Sequence, residues 1–174
     1  MKRLVILGAG GYANTVKDVA EQIGYEIIAM LDDKLTGFEF FSFAQYIPKT
    51  TDSSCDEEVE FIPAFGNNAF RLSWCDCITQ VGGQLATLIH PTAYVSPTVT
   101  ISPGTVVLPH AIVNTDVVVE KGCIINLGAI LDHGCILEEG VHICLGAIVK
   151  GENRIERLSK IEAGEVVERG QYPL

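Results

Sequence analysis

Four histidines, His90, His110, His133 and His142, are the side chains of this sequence suited to exchanging protons near neutral pH. Any one of them alone reads more readily as a packed or surface residue than as a functional one. His133 has more around it, because Asp132 precedes it and Gly134 follows. A neighbouring carboxylate stabilises a protonated imidazole and orients it, although adjacent residues on a strand can also point apart. His142 lies nine residues further on and Gly151 eighteen. A second set of residues is suited to anions. Gly8-Ala9-Gly10-Gly11 sits between an apolar run and a helical pattern, where bare backbone and helix N–H groups receive phosphate. Asp32 falls about where an acid reading a ribose hydroxyl is expected. Asn67, Asn68 and Arg71 follow Gly66 at the start of another helical pattern. The plain alternative is a tight turn that binds nothing.

The elements that would hold this second set form a β-α-β unit. Residues 4–7 predict a buried parallel strand, 13–23 a helix ending at Gly24, and 26–31 a second strand closed by Asp32, Asp33 and Lys34. Residues 59–65 predict a third strand and 69–81 a second helix, so both glycine-containing turns face the same sheet edge, where open parallel sheets bind ligands. Residues 36–58, with their aromatic cluster from Phe38 to Tyr46, read as a connection and an exposed loop. The α/β part is short and has no hydride-accepting second domain beside it, which argues against a nicotinamide cofactor.

From Leu88 onward the pattern changes. Leu88–Gln171 divides into fourteen units of six, and the second place is always Ile, Val or Leu, from Ile89 to Val167. Helices repeat apolar residues every three or four positions and strands every two. A period of six fits a short strand and a turn, with three such units closing a triangular coil of roughly eighteen residues. The branched residue then fills the prism and the small sixth place (Ala93, Ala111, Cys123, Ala129, Ala147) its corners. His133 falls at a corner, where side chains project outward, and Gly151 one coil above it leaves an unobstructed space. The segment Arg154–Glu165 also allows a helix.

A net charge of −10 and a pI near 4.7 argue against nucleic acid and anionic membrane as partners. Cys75 and Cys77 form a C-x-C with no matching pair, so no metal site is expected. Cys123 and Cys135 fall at crowded corners. The opening apolar run is too short for a signal peptide and none is long enough to span a bilayer, so reduced thiols and a cytoplasmic location are expected.

Taken together, VILGAGGYA, MLDDK, AFGNNAFR, LIHPTAYVSP and INLGAILDHGCILEEGVHICLGA run in order over nearly the whole chain. In these segments the sequence resembles the bacterial sugar O- and N-acyltransferases of the sialic-acid O-acetyltransferase (NeuD) and PglD type. The resemblance implies a small Rossmann-like nucleotide-binding α/β domain over residues 1–85 and a left-handed parallel β-helix over 86–174. It also implies a homotrimer that transfers acetyl from acetyl-CoA to a UDP-linked amino sugar, or O-acetylates a sugar such as sialic acid, at sites between neighbouring β-helices. On it, His133 is the general base and Asp132 tunes it. His142 and Gly151 line the acetyl-CoA site, and Gly8, Gly10, Gly11, Asp32, Asp33, Lys34, Asn67, Asn68 and Arg71 bind the nucleotide sugar. Neither a metal nor a covalent enzyme intermediate is implied, since the thioester is already activated. Three features depart from the pattern: Tyr12 stands for a usual histidine, His110 for a frequent glycine, and fewer coils follow His133 than is usual. A shortened groove for CoA is therefore expected. The competing reading is a catalytically weak trimeric protein that binds nucleotide sugar and has a truncated CoA groove.

Overall fold

The computed structural model describes residues 2–32 and 59–174. The chain divides into two compact units, Met1–Ala86 and Thr87–Leu174. The first is a parallel sheet with two helices: β1 (Arg3–Leu7), α1 (Gly11–Gln22), β2 (Glu26–Leu31), β3 (Val59–Pro63), α2 (Asn68–Gln80) and β4 (Gln84–Leu85), in strand order β2-β1-β3-β4. Strand β1 lies in the middle and is buried from Leu4 to Leu7, which is why its sequence is a continuous apolar run and not an alternating one. The apolar stripe of α1 is Ala13, Val16, Val19 and Ala20. Both helices stop just before glycines in the left-handed conformation, Gly24 and Gly82. The expected aromatic loop, with Asp33 and Lys34, lies outside the described residues.

The second unit is a parallel β-helix. Fourteen two-residue strands, β5 (Leu88–Ile89) to β18 (Val166–Val167), recur every six residues and stack into three sheets. Every pairing is parallel and joins residues eighteen apart, as in Ile130↔Ile148 and Leu131↔Val149. The second residue of each strand points into one continuous core, where Val107, Val119, Leu131, Ile143 and Val149 are fully buried. The helical alternative for Arg154–Glu165 fails for this reason: Ile155 and Ile161 keep the six-residue register and are buried as strand residues.

The corners have their own register. Every sixth residue from Gly104 to Gly170 has a left-handed backbone; eight are glycines, and the others are His110, Asp116, Glu152 and Leu158. A non-glycine there costs about 1–2 kcal/mol, so these four places carry strain that glycine would not. The corner at Asn153 is polar yet fully buried. Its amide donates to the Lys150 and Glu168 carbonyls and its oxygen accepts from Tyr172 N–H, so the last coil is tied down by hydrogen bonds.

Candidate active site

In the α/β unit, Gly8, Gly10, Gly11, Tyr12, Asp32 and Asn67 line a cleft of about 380 Å³, with residues 64–66 and Phe70 as its far wall. Gly8 has φ +111°, and a Cβ there would lie 3.0 Å from the Ala64 carbonyl, so only glycine lets the two strand ends approach. Cβ atoms at Gly10 and Gly11 would meet nothing within 4 Å, which keeps bare backbone facing the cleft. Helix α1 begins there without a side-chain cap, leaving its first N–H groups and positive end available to an anion. Asp32 Oδ2 accepts the Ala9 N–H at 3.0 Å and pins the turn to the end of β2.

At the second turn, Asn67 caps α2 by accepting the Phe70 N–H at 2.8 Å. Asn68 and Arg71 do not line the cleft. Arg71 is only 1% exposed, and its guanidinium donates to the Phe65 carbonyl and to Asn68 Oδ1, both at 3.0 Å. A buried cation must be met by acceptors, and here the chain supplies them itself, so this pair braces the cleft wall from behind. Tyr12, singled out from the sequence only as a departure, is a lining residue whose hydroxyl is buried and accepts no hydrogen bond among the described residues. That burial pushes its pKa up, with Arg71 pulling the other way, so the phenol stays neutral.

On the β-helix, Asp132 and His133 form one corner. Asp132 Oδ1 accepts the His133 N–H at 2.8 Å and the Asn114 amide, one coil earlier, at 3.2 Å. These bonds, with the nearby imidazole, hold the Asp132 carboxyl below the usual carboxylate range, so it is ionised at neutral pH. Its Oδ2 stands 3.9 Å from His133 Nε2, close enough for charge to matter and too far for a hydrogen bond. The imidazole is 44% exposed. Asn114 was not foreseen, although an offset of eighteen from Asp132 would have found it.

The space expected beside His133 is filled by its own ring. A Cβ on Gly151 would lie 2.9 Å from both Cε1 and Nε2, so the absence of a side chain at 151 is what lets the imidazole lie along the next coil. Gly151→Ala is expected to push the half-exposed ring aside, with turnover reduced about 10²-fold by misplacement of the group and melting temperature little changed. Steady-state kinetics beside a thermal melt checks this; undiminished turnover would mean that the ring is not used where it lies.

His142 does not meet His133 within one chain. It stands on a different sheet, between Ile124 and Lys160, and its Nε2 lies 3.0 Å from the Asn126 amide nitrogen. His90 bonds Thr92, and His110 occupies a strained left-handed corner. Among the described residues no cluster of three or more His, Cys, Asp or Glu is arranged to hold a metal ion, and no helix is long and apolar enough to cross a membrane.

A hexapeptide β-helix with an exposed histidine corner, following a glycine-turn α/β unit in the chain, is the frame of a hexapeptide-repeat transferase. Residues 3–78 match the PglD N-terminal domain family. The acetyltransferase domain of PglB from Neisseria gonorrhoeae FA1090 superposes with a TM-score of 0.82 at 34% identity, over 95% of this chain and 82% of that one. The same domain in complex with acetyl coenzyme A gives 0.82 at 33%, over 95% and 81%. A mutant of perosamine N-acetyltransferase from Caulobacter crescentus, in complex with CoA and GDP-perosamine, gives 0.80 at 24%, over 99% and 91%, a likeness of fold. The chain belongs to the PglD-type sugar acetyltransferases.

Proposed function

We propose that this enzyme transfers the acetyl group of acetyl-CoA to the amino group of a nucleotide-linked sugar, with His133 as general base. The observation that carries the proposal is the corner itself: an accessible imidazole laid over a glycine, beside an ionised carboxylate. His133 accepts the proton of the amine as its nitrogen attacks the thioester carbonyl. The C–S bond then breaks, and the imidazolium returns the proton to the departing sulfur. Asp132 stabilises that imidazolium by charge. Two substrates held in line, with one base, supply most of the acceleration. That one solved relative holds acetyl coenzyme A and another CoA with GDP-perosamine supports the choice of donor and of acceptor class.

In this reading the glycine turn at Gly8, Gly10 and Gly11 and the open start of α1 receive the diphosphate, and Asp32 and Asn67 hold the turns that shape the cleft. Asn68 and Arg71 stiffen its wall. Asp33 and Lys34 are assigned to the same nucleotide on the motif alone.

A homotrimer completes the proposal. Tyr94, Ile112, Ile130, Ile148 and Val166 form one in-register outward column, and Tyr94 is 56% exposed. Such a stripe calls for a partner surface. The strand carrying Ile130 runs directly into Asp132 and His133, so a copy seated on the stripe would wall the site; His142 is assigned to the acetyl-CoA site on the resemblance alone. The free cysteines among the described residues fit a cytoplasmic setting.

The test is a thiol-release assay with acetyl-CoA against UDP- and GDP-linked amino sugars and free sialic acid. Amide product from a nucleotide sugar is the expected result. Ester product only from a free sugar would move the enzyme to O-acetylation, and nucleotide-sugar binding with no thiol release would leave a binding protein.

A further inference from the structure

We infer that Phe70, backed by Phe65, is the stacking face for the nucleobase of the nucleotide sugar. The inference rests on the nucleotide-sugar reading above for its ligand, and adds the place of the base, at the far wall of the α/β cleft. The two sides of that cleft differ in chemistry. On the near side Gly10 and Gly11 begin α1 without a side-chain cap, so backbone N–H groups there suit phosphate. The far wall, made by Ala64, Phe65, Gly66 and Phe70, carries no charged side chain. A ligand that spans both is anionic at one end and flat and aromatic at the other. That is the make-up of a nucleoside diphosphate.

The far wall is built onto the glycine turn itself. Phe65 follows the end of β3, and its Cε1 and Cδ1 would lie 3.2 and 3.4 Å from a Cβ on Gly8, so the ring edge rests where that glycine has no side chain. Phe70 packs on Phe65 with ring centroids 4.7 Å apart and planes at 63°, and on Trp74 at 6.4 Å and 86°. Phe65 and Trp74 belong to the apolar core of this unit, with Val5, Leu7 and Phe61. Both contacts are edge-type, so neither ring lies flat on Phe70. Asn67 fixes the backbone at the same point by accepting the Phe70 N–H.

Phe70 nevertheless stays 42% exposed, while Leu72, Trp74 and Ile78, the other large apolar residues of α2, are buried. A lone apolar side chain on an open surface needs no explanation. This one lines a concave site of about 380 Å³, a size that takes small ligands. The ring is held at its backbone and its edges before a ligand arrives, so little freedom is lost when a base stacks on it. An aromatic ring reads the face of a base and not its edge, so Phe70 serves pyrimidines and purines alike.

Titration calorimetry on the full chain with UDP, GDP and inorganic pyrophosphate tests this without any acetyl transfer. Phe70→Ala should weaken UDP and GDP by about 10-fold or more, the larger loss falling on GDP, and leave pyrophosphate unchanged. Phe70→Leu keeps apolar bulk without a π face and should stay close to Phe70→Ala. Phe70→Trp should restore binding, which separates a lost platform from a lost fold. Unchanged UDP and GDP affinities in Phe70→Ala overturn the inference while the nucleotide reading stands. A loss seen with a nucleotide-linked amino sugar but not with UDP or GDP also overturns it, and gives the wall to the sugar ring. An equal loss for pyrophosphate overturns it as well, since Phe70 would then only shape the glycine turn. A parent chain that binds neither UDP nor GDP overturns both readings.

Discussion

His133→Ala should lower kcat by about 10²–10⁴-fold, the usual worth of a positioned general base, with the assembly and its thermal melt unchanged. The reason that stability survives is visible in the corner. The imidazole is 44% exposed and lies on the outside of the prism, while the core under it is built from Leu131, Val149 and Cys135. No buried partner is orphaned when the ring is removed; Asp132 keeps its bonds to the backbone and to Asn114. Rate measurements at saturating acetyl-CoA and acceptor, beside sedimentation of the same samples, decide the matter. Near-normal turnover in an intact assembly would take His133 out of the chemistry.

The second large effect is expected at a residue that touches no substrate. Ile130→Glu puts a carboxylate at the middle of the outward apolar column, between Ile112 and Ile148. In a lone chain that glutamate faces water at little cost. In an assembly packed on this stripe it is a buried unpaired charge, whose penalty after relaxation is still several kcal/mol per copy. The variant should therefore sediment as a folded monomer and, on the proposed arrangement in which a partner walls the His133 corner, lose nearly all turnover. A monomeric variant that retains full activity would show that each site is complete within one chain, and an unchanged oligomer would show that the stripe is not the interface.

These two substitutions also mark where sequence and structure part company. The period of six was legible because the prism interior admits one residue type at one place in each unit. Ile155 and Ile161 obeyed it even inside a stretch that could have been read as helix. The glycine turns were legible as well: Gly8 has no room for a Cβ, and Gly10 and Gly11 leave the cleft floor bare. Asp132 and His133 were found as neighbours in sequence, which is a local fact.

What the linear order could not reveal is which side chain answers which across coils. Asn114 bonds Asp132 and Glu152 lies over Gly134 because the parallel stacking sets residues eighteen apart against each other. Arg71 was expected, on the resemblance, to bind the nucleotide sugar, and in the folded chain its guanidinium is buried on the Phe65 carbonyl and the Asn68 amide, because burial obliges a guanidinium to find acceptors. The sequence by itself determined the coil, the turn and the presence of an imidazole. Only the tertiary structure decided that the imidazole rests on Gly151, that Asn114 holds the carboxylate beside it, and which cation is spent on the scaffold, for those depend on distances between residues that no local pattern constrains.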